Sequence, residues 1–547
     1  MIQRFLNSQT KSISSASLIL AISSMMSAVL GLLRDRLLAG TFGASAELDV
    51  YYAAFTVPDL IAMILIFGAI SAAIIPIFSS YLIKSKEEAF RYASRVLNVF
   101  LGCLIAICVI LIIFTPAFIS IVAPGFTGDK KEMAILLMRI MFLSPIILGA
   151  SNIISGILQV FHRFIATALA PLMYNLGIII GILFFLPRYG LQGLAWGVVL
   201  GGAMHLLIQL PAFLFSGFKY KADFDYKDPG VVKTLQLMAP RSLGLGAGQL
   251  NKIATTAIAS TLISGSIAVF NLANNLASIV VTVVAVSVST AAFPSMAMSF
   301  LREEKEDFLK KFSNILRQVM FLIIPLSLLI LILRAQIVRV FLGVGKFDWV
   351  DTKLTTACLG ILAFNLLAQG LILFLSKTFY AAQNTKIPAI ISGLTVVFNI
   401  ILSLTFVWIL RFPVFSNLAQ VIFRVDGVKN IGVIGLALAY SITAIVECYL
   451  LLHMFYKKFP DLRTKDIYDS LSKTLIASLI MALAVLSVRQ LWGNFMSLQN
   501  FWSIFFQLVL SGIAGVAVYA LVSLKLKSPE VKTFADSFLK KFLYSGK

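Results

Sequence analysis

Apolar residues fill this chain in runs of about 20 or more, separated by short polar connections. Such a run folded as a helix matches the hydrocarbon core of a bilayer, because each helical residue adds about 1.5 Å. The pattern predicts an all-α polytopic membrane protein with about fourteen transmembrane helices. Their predicted cores are residues 13–33, 50–82, 96–122, 133–160, 164–186, 191–215, 231–263, 267–300, 314–343, 352–382, 387–410, 431–456, 471–491 and 501–524.

Basic residues in the connections give the predicted orientation. With the N-terminus inside, the connections after even-numbered helices and both termini hold roughly 29 of the 45 Lys and Arg, and the opposite connections hold about 13. This excess predicts cytoplasmic N- and C-termini. The formal net charge of +21 is then a topology signal beside anionic membrane lipids, and no nucleic-acid partner is expected.

Composition excludes a soluble globular protein. The chain is 59% hydrophobic and 13% charged, whereas soluble domains carry about 25% charged residues. It has no G-x-x-x-x-G-K-[ST] phosphate loop, no Cys or His at metal-ligand spacing and no arrangement for covalent catalysis. We therefore expect a transporter rather than an enzyme, without a cofactor or metal, and coupled to the membrane potential, Na⁺ or H⁺.

An internal repeat predicts the arrangement of the helices. The segments 190–210 and 432–452 share G-x-x-G-L-A followed by small residues and Leu, although Gly-Leu-Ala-rich helices also resemble one another by chance. Copies six helices apart insert in the same direction, as in transporters built from parallel repeats. The predicted parts are an N-terminal lobe (1–218), a C-terminal lobe (219–460), two appended helices (461–524) and a basic cytoplasmic tail (525–547).

Charged residues and a proline interrupt the apolar stretch from Gly31 to Phe78. Charge within a membrane-spanning segment is unfavourable unless it lines a polar cavity, so these residues are functional candidates. The ordered motif G-x-x-R-D-x-L-x-A-x-x-F-G-A-S, then D, A-F-x-x-P and G-A-x-S-x-A-x-x-P, resembles the MurJ/MviN family of lipid II flippases. Two further signatures, at residues 240–266 and 379–388, are similar, and the resemblance spans nearly the whole chain.

The resemblance implies a fold and a function. It implies membership of the multidrug/oligosaccharidyl-lipid/polysaccharide exporter superfamily, with two six-helix lobes around a central cleft. It also implies alternating access that carries lipid II, a polyprenyl-diphosphate-linked peptidoglycan precursor, between leaflets of the bacterial plasma membrane. The last two helices would hold the lipid tail, and cell-wall synthesis proteins would be candidate partners.

The chain departs from the family at several charged positions. Where the family usually carries arginines and a glutamate, this sequence has Ala28, Ala62, Met63 and Phe67. We therefore expect the diphosphate to be held differently, or the substrate to differ.

Polar residues inside the predicted helices are the candidate substrate-binding groups. Arg34, Arg241 and Lys252 are expected to give the cleft its positive field, since arginine binds phosphate oxygens bidentately. Alternatives without a role in substrate binding are that Arg34 extends to the membrane interface and that Lys377 only fixes the topology. The full candidate set is Arg34, Asp35, Asp49, Asp59, Arg241, Gln249, Lys252, Asn274, Asn275 and Lys377, with Glu447 as a coupling-ion candidate.

The acidic and amide candidates have two interpretations each. Asp35, Asp49 and Asp59 are either ion-pair partners that open and close with the lobes or ligands of a coupling ion. Asn274 and Asn275 either bind sugar hydroxyls or contact neighbouring helices. The alternative functions are transport of another polyprenyl-linked saccharide, export of multidrug-type cations, and a non-transporting membrane scaffold.

Overall fold

A computed structural model describes residues 13–67, 70–428, 430–497 and 499–531, with the side chains of 13–18, 65–67, 70–72 and 239–247 left out. Every regular element in the described part of the chain is a helix. Eleven helices there are long and apolar enough to cross a membrane. The all-α membrane fold is thereby confirmed, and the count of fourteen stays a prediction.

The chain divides into two compact units, Met1–Ala268 and Val269–Lys547. The predicted lobe boundaries at 218 and 460 follow the repeat rather than these contacts, and they stay predictions. The helices up to the boundary are α1 Ile13–Phe42, α2 Ala46–Ile61, α3 Ile70–Lys84, α4 Lys86–Ile113, α5 Thr115–Val122, α6 Gly128–Met141, α7 Leu143–Val160, α8 Phe164–Ile180, α9 Leu186–Tyr189, α10 Leu191–Leu207, α11 Leu210–Leu214 and α12 Pro229–Ser260. Those that follow are α13 Ser266–Val280, which crosses the boundary, α14 Ser287–Leu301, α15 Lys305–Phe341, α16 Trp349–Ala381, α17 Lys386–Ile409, α18 Pro413–Phe423, α19 Gly432–Lys458, α20 Lys465–Phe495 and α21 Phe501–Lys525.

The second predicted helix is interrupted rather than continuous. A π-helical turn, Ala62–Phe67, separates α2 from α3. Pro58 lies four residues before this turn and lacks a backbone N–H, which disturbs the regular hydrogen-bond ladder. Such turns are frequent at functional sites. The π-helical turn contains Ala62, Met63 and Phe67, three of the positions where the sequence departs from the family that it resembles.

One helix was not predicted from the sequence. The connection after α17 contains α18, which begins at Pro413. Proline suits the first turn of a helix because that turn has no intrahelical use for its N–H. At 11 residues α18 is too short to cross a membrane, so a search for long apolar runs overlooks it.

Glycines allow α8 and α10 of the first unit to pack at backbone contact. A Cβ on Gly177 would lie 2.4 Å from the Cα of Gly201, and one on Gly181 would lie 2.5 Å from the Cα of Gly197. Real Cβ atoms do not approach so closely, and small residues are what let membrane helices associate by van der Waals contact. Gly197 and Gly201 belong to the 190–210 copy of the repeat, so small residues in that copy have a packing role.

The polar connection 219–228 is fixed to the start of α4. Arg95 donates from Nε to Asp223 at 2.7 Å and from Nη1 to Asp228 at 2.6 Å. The hydrogen bond from Arg95 lowers the pKa of Asp223 below its ordinary value. Asp228 also accepts from the Gly230 N–H at 2.8 Å and so caps α12. This predicted inner loop is thus an ordered strap between α11 and α12.

The last two helices pack on α15 within the second unit. Phe321 and Leu333 of α15 are buried against Met481 of α20 and Tyr519 of α21. The Tyr519 hydroxyl donates to the Phe321 carbonyl at 2.7 Å, which satisfies a polar group in an apolar setting. Their predicted role as a groove for a lipid tail stays a prediction.

Candidate functional site

Arg34 forms one charged pair of the first unit. It lies on α1, where Nη2 donates to Asp35 Oδ1 at 2.9 Å and Nη1 donates to Asn175 Oδ1 at 3.2 Å. Asn175 on α8 in turn donates to the Ser27 hydroxyl at 3.2 Å. The guanidinium is held by groups on two helices, α1 and α8. Its charge is balanced by the buried Asp35.

Lys252 forms the second charged pair of this unit. Its Nζ lies 2.7 Å from Asp59 Oδ2, and the two side chains are 38% and 24% exposed. The pair therefore joins α12 to α2 while both groups stay accessible to a ligand. Gln249 lies one turn before Lys252 on α12, and its Oε1 has no donor within the described residues. An anionic ligand that displaced Asp59 would gain the ammonium and a neighbouring amide.

Asp49 is buried and is bonded to backbone N–H groups of the protein. It is 2% exposed, and it accepts from the Gly265 N–H at 2.7 Å and from the Ala268 N–H at 2.9 Å. Lys130 Nζ lies 3.6 Å from the same carboxylate. These bonds cap the N-terminus of α13, where a carboxylate is favoured by the unpaired N–H groups and the helix dipole. Asp49 thus joins three connections at one end of the unit.

Backbone contacts tighten this junction. Gly125 donates from its N–H to the Ser260 hydroxyl at 3.1 Å. Gly265 has φ +92°, and a Cβ there would lie 2.0 Å from the Ala44 carbonyl oxygen. Both the left-handed backbone and the close approach require glycine at position 265. By the predicted orientation, this junction is the outer end of the first unit.

Two candidates in the second unit, Lys377 and Glu447, bind neighbouring side chains. Lys377 Nζ donates to the Thr290 hydroxyl at 2.5 Å. Glu447 Oε1 accepts from the Ser392 hydroxyl at 2.6 Å, and both residues are partly exposed. Asn274 and Asn275 on α13 are half-buried. Glu447 therefore has a polar partner on α17 and is only partly covered.

Three of the positions that depart from the pattern of the resembled family, Ala62, Met63 and Phe67, lie in the π-helical turn, and Ala28 lies on α1. Ala62 is 6% exposed, whereas Met63 is 41% exposed. The side chains of Phe67 and Arg241 and the motif residues Gly68 and Ala69 lie outside the described residues, as does the basic tail beyond residue 531.

Two partners in these pairs could not be identified from the sequence. Lys130 is 81 residues from Asp49, and it carries no signal beyond that of an exposed polar connection. For Asn175 the sequence does carry a signal, because an amide within an apolar run indicates an interhelical hydrogen bond, but it does not identify Arg34 as the partner. The first unit thus brings Arg34 with Asp35 and Lys252 with Asp59, and it holds Asp49 at a separate junction.

Comparison with known proteins gives a consistent family. The family model described as lipid II flippase MurJ matches residues 38–510. A probable lipid II flippase MurJ from Buchnera aphidicola is 27% identical over 515 residues, covering 92% of this chain and 96% of that protein. One from Thermotoga maritima is 29% identical, covering 94% of this chain and 97% of its own length.

Solved structures agree at the level of the fold. The structure titled lipid II flippase MurJ, inward closed conformation, superimposes with a TM-score of 0.72 at 26% identity, covering 92% of this chain and 98% of that one. An inward-facing multidrug resistance transporter of the MATE family gives a TM-score of 0.64 at 16% identity, covering 82% of this chain and 99% of its own. The second likeness concerns the fold alone.

Proposed function

This chain belongs to the lipid II flippase MurJ family, and from that premise we propose that it moves lipid II from the inner to the outer leaflet of a bacterial plasma membrane. The observation that carries the proposal is the match of the family model to residues 38–510, which extends through both compact units. The cytoplasmic position of both termini is part of the same proposal. The driving force would act through conformational change rather than through bond cleavage.

Lys252 and Arg34 support the substrate part of the proposal. A diphosphate headgroup cannot enter hydrocarbon bare and needs cationic or donor groups along its path. Lys252 is paired with Asp59 and partly exposed, so an arriving diphosphate competes with that carboxylate for one ammonium. Arg34 is fixed in place by Asp35 and Asn175 and presents a pre-oriented guanidinium. A cleft with fewer cations than the family usually carries would then bind the diphosphate by exchanging a carboxylate partner for a phosphate.

The decisive experiment is complementation of a bacterium depleted of its essential lipid II flippase, with a parallel assay of lipid II exposed on the outer surface. We expect this chain to restore both growth and exposure. Well-expressed protein that restores neither would overturn the proposal. In cells that carry the Lys252→Ala variant, lipid II should no longer be exposed on the outer surface, although the amount of the variant in the membrane is unchanged.

A second candidate is transport of another polyprenyl-diphosphate-linked saccharide. The observation that favours it is the exchange of family charges for Ala62 and Met63, together with the amides Asn274 and Asn275. Amides bind sugar hydroxyls well and bind phosphate less strongly than arginine does. Proteoliposomes loaded with either lipid distinguish the candidates. Faster movement of the peptide-free saccharide lipid would favour this second function.

Glu447 is the proposed coupling site. Its carboxylate is partly exposed and bonded to Ser392, so H⁺ or Na⁺ could bind there without displacing a charged partner. Glu447→Gln should reduce the dependence of transport on an imposed Na⁺ or H⁺ gradient. An unchanged dependence in that variant would exclude Glu447 as the coupling site.

A further inference from the structure

Three arginines from three different elements converge at one end of the second unit. Arg334 lies near the end of α15, Arg489 lies near the end of α20, and Arg424 follows α18. Arg489 donates to the backbone carbonyl two residues before Arg334, and the turn that carries Arg424 is bonded to α16, the helix that the Arg334 side chain contacts. Among the described residues no carboxylate pairs with any of the three. Like charges held together without a counterion indicate a site that an anion completes.

The three side chains are held by the protein. Arg489 Nη1 donates to the Ile332 carbonyl at 2.9 Å, two residues before Arg334. The Arg334 side chain lies directly over Gly360 of α16, where a Cβ would approach its Nη1 to 2.6 Å. Glycine at 360 thus leaves room for the guanidinium. Arg334 and Arg489 are both partly buried.

Arg424 is positioned by an ordered turn. It has φ +56° at the end of α18, and Val425 and Val428 behind it are buried. Lys353 Nζ donates to the Asp426 carbonyl at 3.1 Å, which fastens the turn to the start of α16. Arg424 itself is exposed. The cluster therefore has an open side that a ligand can approach.

Topology does not account for this cluster. By the predicted orientation α15 and α20 end outside, and α16 begins there, so the arginines lie on the side that membrane proteins keep poor in basic residues. Arginines that only anchor a helix extend freely to the interface. Here one is bonded to a carbonyl and another lies over a glycine.

We propose that Arg334, Arg424 and Arg489 form a binding site for a phosphate or diphosphate group at the outer end of the second unit, with a polyprenyl diphosphate of the outer leaflet as its ligand. Guanidinium groups match phosphate oxygens in charge and in bidentate geometry. The identity of this ligand rests on the proposed function, and the anion site does not. The site would receive the headgroup after translocation.

The test is binding of a short-chain polyprenyl diphosphate to the purified full-length protein in nanodiscs. Inorganic diphosphate and phosphatidylglycerol are titrated in parallel. We expect the polyprenyl diphosphate to bind, and Arg334→Gln and Arg489→Gln each to weaken binding about tenfold. Gly360→Ala should also weaken it, because the new methyl group displaces the Arg334 guanidinium while every charge is retained.

Arg411→Gln is the matched control, since Arg411 is an exposed arginine in the same connection as Arg424. It should leave the affinity unchanged. An equal loss in Arg411→Gln, or no loss in Arg334→Gln and Gly360→Ala, would overturn the site. Equal binding of phosphatidylglycerol would overturn the assigned ligand. If the wild-type chain binds the polyprenyl diphosphate but fails to complement the depleted bacterium, the proposed transport function is rejected and the anion site is not.

Discussion

At the scale of residues, variants of the Lys252–Asp59 pair distinguish a charge that stabilises the fold from a charge that binds the substrate. Lys252→Ala leaves the Asp59 carboxylate without its cation, and Asp59→Asn leaves the ammonium without its anion. We expect each to lower thermal stability modestly and the double variant to recover part of the loss, with a coupling energy of about 1 kcal/mol because both groups are partly solvated. Thermal unfolding of the purified variants measures this.

In these variants, the transport activity should not change in parallel with the thermal stability. If Lys252 binds the headgroup, the double variant stays inactive although its charge is balanced, and Asp59→Asn keeps activity. The exposed pair Lys305–Asp461, at 2.6 Å, is the control, and Lys305→Ala should alter neither property. Recovery of lipid II exposure in the double variant would contradict a binding role for Lys252.

At the scale of elements, Asp49 holds the connections around α13 together. Asp49→Ala leaves the Gly265 and Ala268 N–H groups buried without an acceptor, which destabilises by about 2 kcal/mol or more. Asp49→Asn keeps one acceptor oxygen and should be milder. A lower melting temperature in the order wild type, Asn, Ala is expected. Glu47→Gln, exposed and two residues away, should change nothing.

Helix packing gives a second prediction at this scale. Gly201→Val places a branched side chain where a Cβ already lies 2.6 Å from the Tyr174 carbonyl oxygen, so α8 and α10 must separate. We expect little folded protein in the membrane, measured by the monodisperse fraction after extraction. Gly102→Val is the control, because no atom lies within 4 Å of a Cβ at that position. Equal yields for the two variants would argue against backbone contact.

At the scale of the whole molecule, the orientation inferred from charge can be measured directly. With the four native cysteines replaced, Asp225→Cys should react with an impermeant thiol reagent only after the inner face is opened. Lys346→Cys, in the connection between α15 and α16, should react in intact cells. Both positions are exposed, so access and not burial decides the labelling. The reverse pattern would invert the proposed topology.

The sequence determined the fold class and the family of this protein. Long apolar runs have one stable solution in a bilayer, since every backbone group must be satisfied within a helix. The ordered motifs of the 31–78 stretch indicated the family that residues 38–510 then matched. These features are local in sequence, which is why they could be read without coordinates.

Only the tertiary structure decided what each charge contacts. Lys252 is 193 residues from Asp59, and Lys130 is 81 from Asp49, and a local pattern carries no information about such distant pairs. The same holds for Arg334, Arg424 and Arg489, which are brought to one end of the second unit by the packing of α15, α16 and α20 and the turn after α18. Apolar periodicity specifies which segments enter the membrane. The packing of those segments specifies which of the charges are neutralised and which are left for an anion.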